Sequence, residues 1–466
     1  MFINGQWIKS ENEVNITNPY NNEIIGKVPL LSREEVREGV NVGYEHIEIM
    51  RNLEYSKRYS ILNNIAKEIS KNKKELAKII TLDVGKPIKQ SIVEVDRTIG
   101  VFKMAAHYTK EFRGETIPHD NYLLITKREP VGLVGAITPF NFPLNLLAHK
   151  IAPAIAMGNS LVVHPSIKAP LVVVKLTEII EKILKSKNIP LGVFNLLTGE
   201  GHIVGDEIVK SPKVNKLSFT GSVEVGEHIM KVGGYKKITL ELGGVNPVVV
   251  LKDANINKAV DNCIHTKFLN SGQVCISIGK ILVEEEIFDE FKNKIIEKVK
   301  TLKVGNPLNE ETVIGPLITL DSAKKVEDLI NKSVEQGSKL LCGGKRENNI
   351  IYPTVLETTN NNIIANTEIF GPVLPLIKIN SIEEALNYCN NSKYGLHSGV
   401  FTQDITKALY FADKLQYGGV LINNSPTFRM DNMPFGGIKH SGLGREGIKY
   451  ALEEMSEIKT IIINKN

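Results

Sequence analysis

At 466 residues, 42% of them hydrophobic and 23% charged, the chain can bury large cores and is expected to divide into two or three lobes. Its 57 basic residues exceed 52 acidic ones by only five, with both signs interspersed, which argues against nucleic acid as a partner. The start, MFINGQWI, lacks the features of a signal peptide, and no run approaches the roughly 18 apolar residues of a membrane span, so a cytoplasmic protein without membrane contact is expected.

In chain order, Asn4-Gly5 in FINGQWI signals a tight hairpin turn. From about Ser32 to Lys110, apolar residues recur at helical spacing, most clearly in YSILNNIAKEISKNKKELAKII. From Val131 the pattern changes to short apolar runs, VGLVGAITP, NSLVVHP, GVFNLLTG and KLSFTGS, each followed by a helix-like stretch. Strand-helix-strand units of this kind build a parallel sheet. A second alternating set follows Glu241, including NPVVVL, KILVEE and GGVLIN. An α/β fold with two lobes joined near the Glu241–Gly244 turn is expected. The stretch 115–128, carrying YLLITKR, and the C-terminal SEIKTIIINK fit neither lobe. Each reads as a strand whose partner is the other or a second subunit.

Four cysteines, Cys263, Cys275, Cys342 and Cys389, are too few and too scattered for a disulfide framework, and no CxxC pair suggests zinc. Reduced thiols are expected. Cys275, in NSGQVC, follows a glycine-containing turn and precedes an apolar strand, which would set its thiol at the mouth of a cleft. An isolated cysteine is more often a small buried hydrophobe, and that reading stands for the other three. Glu241 in TLELGG ends a strand before two glycines, where a carboxylate projects into a cleft or merely faces solvent. Asn141, between two phenylalanines in ITPFNFPLN, is either a turn former or an amide donor. Thiol, carboxylate and amide together are what acyl chemistry on an aldehyde needs: nucleophile, water-activating base and oxyanion donor. Two glycine patterns are candidates for phosphate. TGEGHIVG, with Gly201, is the weaker; FTGSVEVG sets Gly221 and Ser222 at the start of a helix, where amides and dipole favour an anion.

The order and spacing of PFNFPL, FTGSVEVG, LELGG, GQVC, EIFGPV and PFGGIKHSGLGRE, with Glu241 lying 34 residues before Cys275 (275 − 241), resemble the aldehyde dehydrogenase superfamily from end to end. The resemblance implies two Rossmann-like parallel-sheet lobes plus a small strand-based oligomerisation element. Residues 1–114 and 129–242 would form the cofactor-binding domain, 243–449 the catalytic domain, and 115–128 with 450–466 the oligomerisation strands of a homodimer or homotetramer. It makes Cys275 the nucleophile, Glu241 the base of deacylation, and Asn141 with the Cys275 amide the oxyanion hole. Lys150 and Glu446 match positions that support proton transfer in relatives. NAD or NADP would be bound by Ile137, Thr138, Pro139 and Phe140, by His164, Ser166 and Lys168, and by Gly201. It would also be bound by Gly221, Ser222, Val223, Glu224, Val225 and Gly226, by Leu242, and by Glu368 and Phe370 at the nicotinamide ribose and ring. The cysteine would need local positive potential to form its thiolate.

Within the family the chain is most similar to the archaeal lactaldehyde dehydrogenases of methanogens, which supply lactate for coenzyme F420 synthesis. A CoA-acylating relative would commonly lack the glutamate base, so Glu241 argues for hydrolysis. A non-catalytic binding protein is the rival of another class, and retention of Cys275, Glu241, Asn141 and Glu368 argues against it. The branch that oxidises glyceraldehyde 3-phosphate without phosphorylation typically has arginine before the cysteine, where this chain has Val274. Arg429 nevertheless lies near where that branch places a second substrate arginine, and Phe142 and Phe435 would line the substrate entrance. NAD-preferring relatives carry a Lys-Pro-x-Glu pattern where this chain reads His164-Pro-Ser-Ile167. Without that carboxylate the penalty on a 2′-phosphate disappears, and Lys168 with a protonatable His164 would either attract it or be ordinary surface residues.

Overall fold

The computed structural model describes residues 1–10, 12–111 and 114–465. Glu11, Phe112, Arg113 and Asn466, which fall in the stretches assigned above to the cofactor-binding domain and the oligomerisation strands, lie outside the described residues.

The N-terminal turn forms as its dipeptide requires, with Asn4 at φ 50° and Gly5 at φ 79° joining Phe2–Ile3 to Gln6–Trp7. Helices follow, among them Arg33–Glu45, Tyr55–Lys71, Lys73–Val84 and the long Ile88–Glu111. Ser32 opens the first with a capping box: its side chain accepts from the Glu35 amide, and the Glu35 carboxylate accepts from the Ser32 amide.

The first sheet has a central parallel set, Leu133–Thr138, Ser160–Pro165, Phe194–Leu196, Lys216–Thr220 and Lys237–Glu241. Its order turns about Leu133–Thr138, with Ser160–Pro165 on one side and Lys216–Thr220 on the other. At such a switch point the carboxyl ends of neighbouring strands diverge and leave a crevice for ligands. Thr138, Thr220 and Glu241 stand at those ends. The strands Leu133–Thr138, Ser160–Pro165 and Lys216–Thr220 are buried along their whole length, as a parallel sheet covered on both faces demands. The helix Pro143–Met157 covers part of it and is itself buried throughout.

Five residues beyond Glu241 the chain enters the second sheet at Asn246–Val250, whose neighbours are Ile278–Glu284 and His397–Phe401. Val373–Ile379, Thr354–Thr358 and Gly419–Ile422 extend it in parallel, and Lys339–Cys342 closes one edge antiparallel. Gly442–Leu443 then returns to the first sheet, pairing antiparallel with Leu240 and Glu241. Glu241 therefore sits where the two sheets are stitched together.

The two orphan strands pair with each other. Ser456–Asn464 runs antiparallel to Tyr122–Pro130 from Ser456↔Pro130 to Asn464↔Tyr122, and Thr116–Ile117 adds a short third strand. Ile458, Ile462 and Ile463 on the outer strand remain exposed. Among the described residues no helix is long and apolar enough to cross a membrane.

Candidate active site

The Cys275 loop is bent before it is functional. Asn270, Ser271 and Gly272 take φ values of 47°, 56° and 77° in succession, a left-handed run that asparagine tolerates and serine resists. Surrounding groups hold it there. The Asn270 amide donates to Gln90 Oε1 at 2.7 Å, and Ser271 Oγ donates to the Gly315 carbonyl at 2.9 Å while accepting from the Gly315 amide at 3.0 Å. A side chain on Gly272 would come within 2.2 Å of the Gly371 carbonyl oxygen, so the loop can close on the Glu368–Pro372 segment only with glycine there. Beyond the bend, Asn246 Nδ2 donates to the carbonyls of Cys275 at 2.8 Å and Ser277 at 2.9 Å.

Asn141 is locked to the same loop. Its Nδ2 donates to the Gln273 carbonyl at 3.0 Å, and its own carbonyl accepts from Asn270 Nδ2 at 3.2 Å. Its Oδ1 is buried without a partner. Phe142, next in sequence, is a poor residue with which to start the helix Pro143–Met157, and its side chain makes no capping bond. The cap comes from a distant helix: Glu94 Oε1 accepts from the Leu144 and Asn145 amides at 3.0 and 3.1 Å. Glu94 forms a wholly buried ion pair with Lys86, whose ammonium stands 3.6 Å above the centre of the Phe142 ring.

Glu241 lies on the other side, 2% exposed, with both carboxyl oxygens unpartnered. Burial first, then the Glu446 carboxylate, holds its pKa well above the ordinary value, against the pull of Arg429, Lys150 and Arg445. Lys150 Nζ donates to Glu446 Oε1 at 2.8 Å and to Ser218 Oγ at 3.2 Å, and Arg429 Nη2 reaches Glu446 Oε2 at 3.4 Å. Burial works to raise the pKa of Glu446, but Lys150, Arg429 and His149 outweigh it and bring it down to about 2. The two carboxyls are thus driven apart: Glu446 is held ionised and Glu241 is held ready to keep a proton.

Phe435 exchanges two backbone bonds with Glu446, at 3.0 and 2.7 Å, and packs edge-on against His397. Val274, Ile276, Leu396 and Phe435 form an apolar cluster, with Phe142 and Cys275 packed against it. Local positive potential is not what this chain's own residues give the nucleophile. Burial, and then the Glu241 carboxyl, push the Cys275 thiol up to about 12, with Arg429 working in the opposite direction. The protein alone therefore keeps Cys275 as a thiol, because its setting is apolar and the Glu241 carboxyl outweighs Arg429 in its effect on the sulfur.

The cofactor candidates fall along the first crevice. Ile137, Thr138, Pro139 and Phe140 run out of one strand, and the buried hydroxyls of Thr138 and Thr220, at the ends of adjacent strands, have no partner. Ser222 caps the helix Val223–Val232 by accepting from the Val225 amide at 3.4 Å; Glu224 lies in its first turn. Gly226 lets that helix close on Leu242, since a side chain there would come within 2.6 Å of Leu242 Cδ1. The Gly221 amide donates to the Glu241 carbonyl at 3.0 Å. Gly201 opens the helix Gly201–Lys210, with open space where a side chain would stand. Glu368 accepts from the Gly244 amide at 3.3 Å and lies against Gly243, where a side chain would come within 2.1 Å of its Oε2; burial lifts its pKa to about 7. Phe370, at φ 49°, turns its ring edge-on to Phe140 at 6.0 Å. Unpartnered hydroxyls, an open glycine and a helix start at one crevice fit a dinucleotide.

His164 does not play the charged part expected of it. It is 4% exposed, its Nδ1 donates to the Leu197 carbonyl at 3.0 Å, and burial lowers its pKa to about 4. It is neutral at neutral pH, and Lys168, exposed beyond Ser166, is left as the cation on that stretch.

Lys86, Gln90, Glu94, Asn246 and Gln273 are parts of this site that were not read from the sequence, and no local pattern marks the last four. Their contacts cross 132 positions for Asn141 and Gln273 and 180 for Gln90 and Asn270. The usable hint was Lys86, a lysine in the apolar run LDVGKPI.

The model of the aldehyde dehydrogenase family matches residues 7–461. A lactaldehyde dehydrogenase of Methanococcus aeolicus is 72% identical, covering all of both chains. The solved structure of glyceraldehyde-3-phosphate dehydrogenase GapN from Methanocaldococcus jannaschii, complexed with NADP, is 58% identical with a TM-score of 0.97, covering 98% of this chain and 100% of that one. Betaine aldehyde dehydrogenase of Staphylococcus aureus, in complex with NAD+, is 35% identical with a TM-score of 0.95, covering 100% of this chain and 96% of that one.

Proposed function

This chain belongs to the aldehyde dehydrogenase family, and from that premise we propose that it oxidises lactaldehyde to lactate with NAD or NADP, through a thioester on Cys275. The observation that carries the reading is the division of the site: a nucleophile loop locked to Asn141, and an unpartnered, proton-retaining carboxyl at Glu241. The Cys275 proton is released to solvent as its sulfur attacks the aldehyde carbon, a step that does not need the Glu241 carboxyl. The amide of Asn141, with the Cys275 backbone amide, stabilises the resulting oxyanion. A nicotinamide held in the crevice beside Glu368 and Phe370 would supply the acceptor for the aldehyde hydrogen, which leaves as hydride. Deprotonated Glu241 then takes a proton from water, whose oxygen attacks the thioester carbon and expels the Cys275 sulfur as the acid is released. Lys150 holds Glu446 ionised behind it.

Lactaldehyde is favoured because Val274 and Phe435 make the surroundings of the thiol apolar and because of the name carried by the Methanococcus aeolicus relative. A role in supplying lactate for coenzyme F420 in the cytoplasm accords with the same resemblance. Glyceraldehyde 3-phosphate is the second reading, favoured by the name of the Methanocaldococcus jannaschii structure. Phe142 and Phe435 border the substrate in either case. Purified protein assayed at 340 nm should reduce nicotinamide with lactaldehyde at a higher kcat/KM than with glycolaldehyde or glyceraldehyde 3-phosphate. A preference for the phosphate ester would overturn the choice.

Because Ile167 stands where a ribose-binding glutamate would repel a 2′-phosphate, both cofactors should be used at comparable efficiency. Ile167→Glu should raise the KM for NADP by roughly tenfold or more through like-charge repulsion and leave that for NAD unchanged or lower. Wild-type discrimination against NADP beyond about a thousandfold would show that another residue does the rejecting.

The eight-, seven- and three-stranded sheets support the division into cofactor-binding residues 1–114 and 129–242, catalytic residues 243–449 and oligomerisation strands 115–128 and 450–466. The exposed isoleucines of Ser456–Asn464 line the outer edge of the three-stranded sheet, and an apolar edge of this kind is stable only when another chain covers it. A homo-oligomer, dimer or tetramer, follows. Deletion of residues after Ile458 should give dissociation or insolubility; a monomeric full-length protein in sedimentation would end the idea.

A further inference from the structure

Arg429 lies in a stretch without helix or strand, yet its side chain is only 6% exposed. Its guanidinium stands 3.8 Å above the centre of the Phe435 ring, and Nη2 reaches Glu446 Oε2 at 3.4 Å. Two residues on, Asp431 pins the segment: it accepts from Arg97 Nε at 3.2 Å and from the buried His149 Nε2 at 2.9 Å. Arg97 and His149 belong to the helices Ile88–Glu111 and Pro143–Met157, so the stretch carrying Arg429 is fixed from two sides. Glu446 is in turn clasped between Lys150 on one oxygen and Arg429 on the other.

The cations around Glu241 are already engaged: Lys150 and Arg429 share Glu446, Arg97 takes Asp431, and Arg445 donates to the carbonyls of Gly437 and Gly444. A phosphate or sulfonate brought against Arg429 would draw it from Glu446 and lie beside two carboxyls. Strong sites for such anions use charged donors in fork geometry or in pairs, and the residue beside the nucleophile is the apolar Val274.

We infer that Arg429 is a positioning residue, the counter-cation of Glu446 and through it of Glu241, and that it does not hold the tail of the substrate, so this site takes short uncharged aldehydes in preference to phosphorylated or sulfonated ones. The inference rests on the reading of Glu241 as base. The groups bearing on Glu241 are Glu446, which favours its protonated form, and Arg429, Lys150 and Arg445, which favour the carboxylate. Loss of Arg429 therefore raises the pH at which the base ionises and slows deacylation near neutrality.

The test uses full-length Arg429→Met and Arg429→Lys with lactaldehyde and glyceraldehyde 3-phosphate, reading the pre-steady-state burst and the pH dependence of kcat. For Arg429→Met, kcat for lactaldehyde should fall by about 10- to 100-fold with KM held within about threefold, the burst should persist, and the midpoint of the pH profile should move upward. Arg429→Lys should recover part of the rate. If kcat and midpoint for lactaldehyde stay unchanged, the inference is overturned, whether or not the KM for glyceraldehyde 3-phosphate rises. Should Arg429→Met fail to fold, Arg429→Lys, which keeps the charge and loses the planar fork, decides by the same readings. Failure of the underlying reading would show elsewhere, as a wild-type enzyme that oxidises neither aldehyde or a Glu241→Gln enzyme that turns over normally.

Discussion

Glu241→Gln should release about one equivalent of reduced nicotinamide per subunit and then stall, whereas Cys275→Ala should release none. Acylation needs a nucleophile, an oxyanion donor and a hydride acceptor, none of which is lost with the Glu241 carboxyl; deacylation needs a water made nucleophilic, and a glutamine cannot accept its proton. The steady-state rate of the glutamine enzyme should drop by roughly 10²- to 10⁴-fold, the usual worth of a positioned base. In the wild type the same assignment fixes a direction with pH. Burial and Glu446 raise the pKa of Glu241, so the ionised base accumulates only as pH rises above the ordinary carboxylate range, and kcat should climb with it wherever deacylation limits turnover. That climb should vanish in the burst phase of Glu241→Gln. Rapid-mixing absorbance at 340 nm reads both phases, and an undiminished steady-state rate in the glutamine enzyme would remove Glu241 from the mechanism.

Asn141→Ala should lower kcat by roughly 10²- to 10³-fold, the loss seen when one oxyanion donor is removed from a preorganised site. The amide carries two N–H groups. One is spent on the Gln273 carbonyl at 3.0 Å, which fixes the donor relative to the Cys275 loop, and the other is free to meet the charge that develops on the aldehyde oxygen. Alanine removes the donor and unties the loop, so melting temperature should be measured beside rate. Asn141→Asp separates the effects: it matches asparagine in size but presents oxygen where a donor is needed, and it should be as slow as alanine or slower. Less than about a tenfold loss for either variant, with folding intact, would mean that the oxyanion is held elsewhere.

Much of the fold was legible because local rules agreed with one another. The run from Ser32 to Lys110 alternates at helical spacing, starts with a capping box and forms helices. The apolar runs from Val131 are bounded by turn residues and form parallel strands buried on both faces. YLLITKR and KTIIIN, too polar on one side for either lobe, were left with each other, and they pair register by register. The arrangement of the chemistry was legible in part. That Glu241 ends a strand before two glycines, and that Cys275 follows a glycine bend, could be read from neighbouring residues. The charge assigned to His164 could not, since a histidine in HPSI carries no mark of being 4% exposed and bonded to the Leu197 carbonyl. Nor could the state of Cys275, which depends on how much water and which charges reach its sulfur.

By itself, then, the sequence determined on which strands and turns the candidate site residues sit, since periodicity, turn chemistry and motif order are properties of adjacent residues. Tertiary structure decided how those residues are charged and held. Glu94 caps the Asn141 helix from 50 positions away, and Lys150 finds Glu446 across 296. A carboxyl, thiol or imidazole takes its pKa from desolvation and from charges a few ångströms off, and those distances exist only once the two sheets have closed around Glu241.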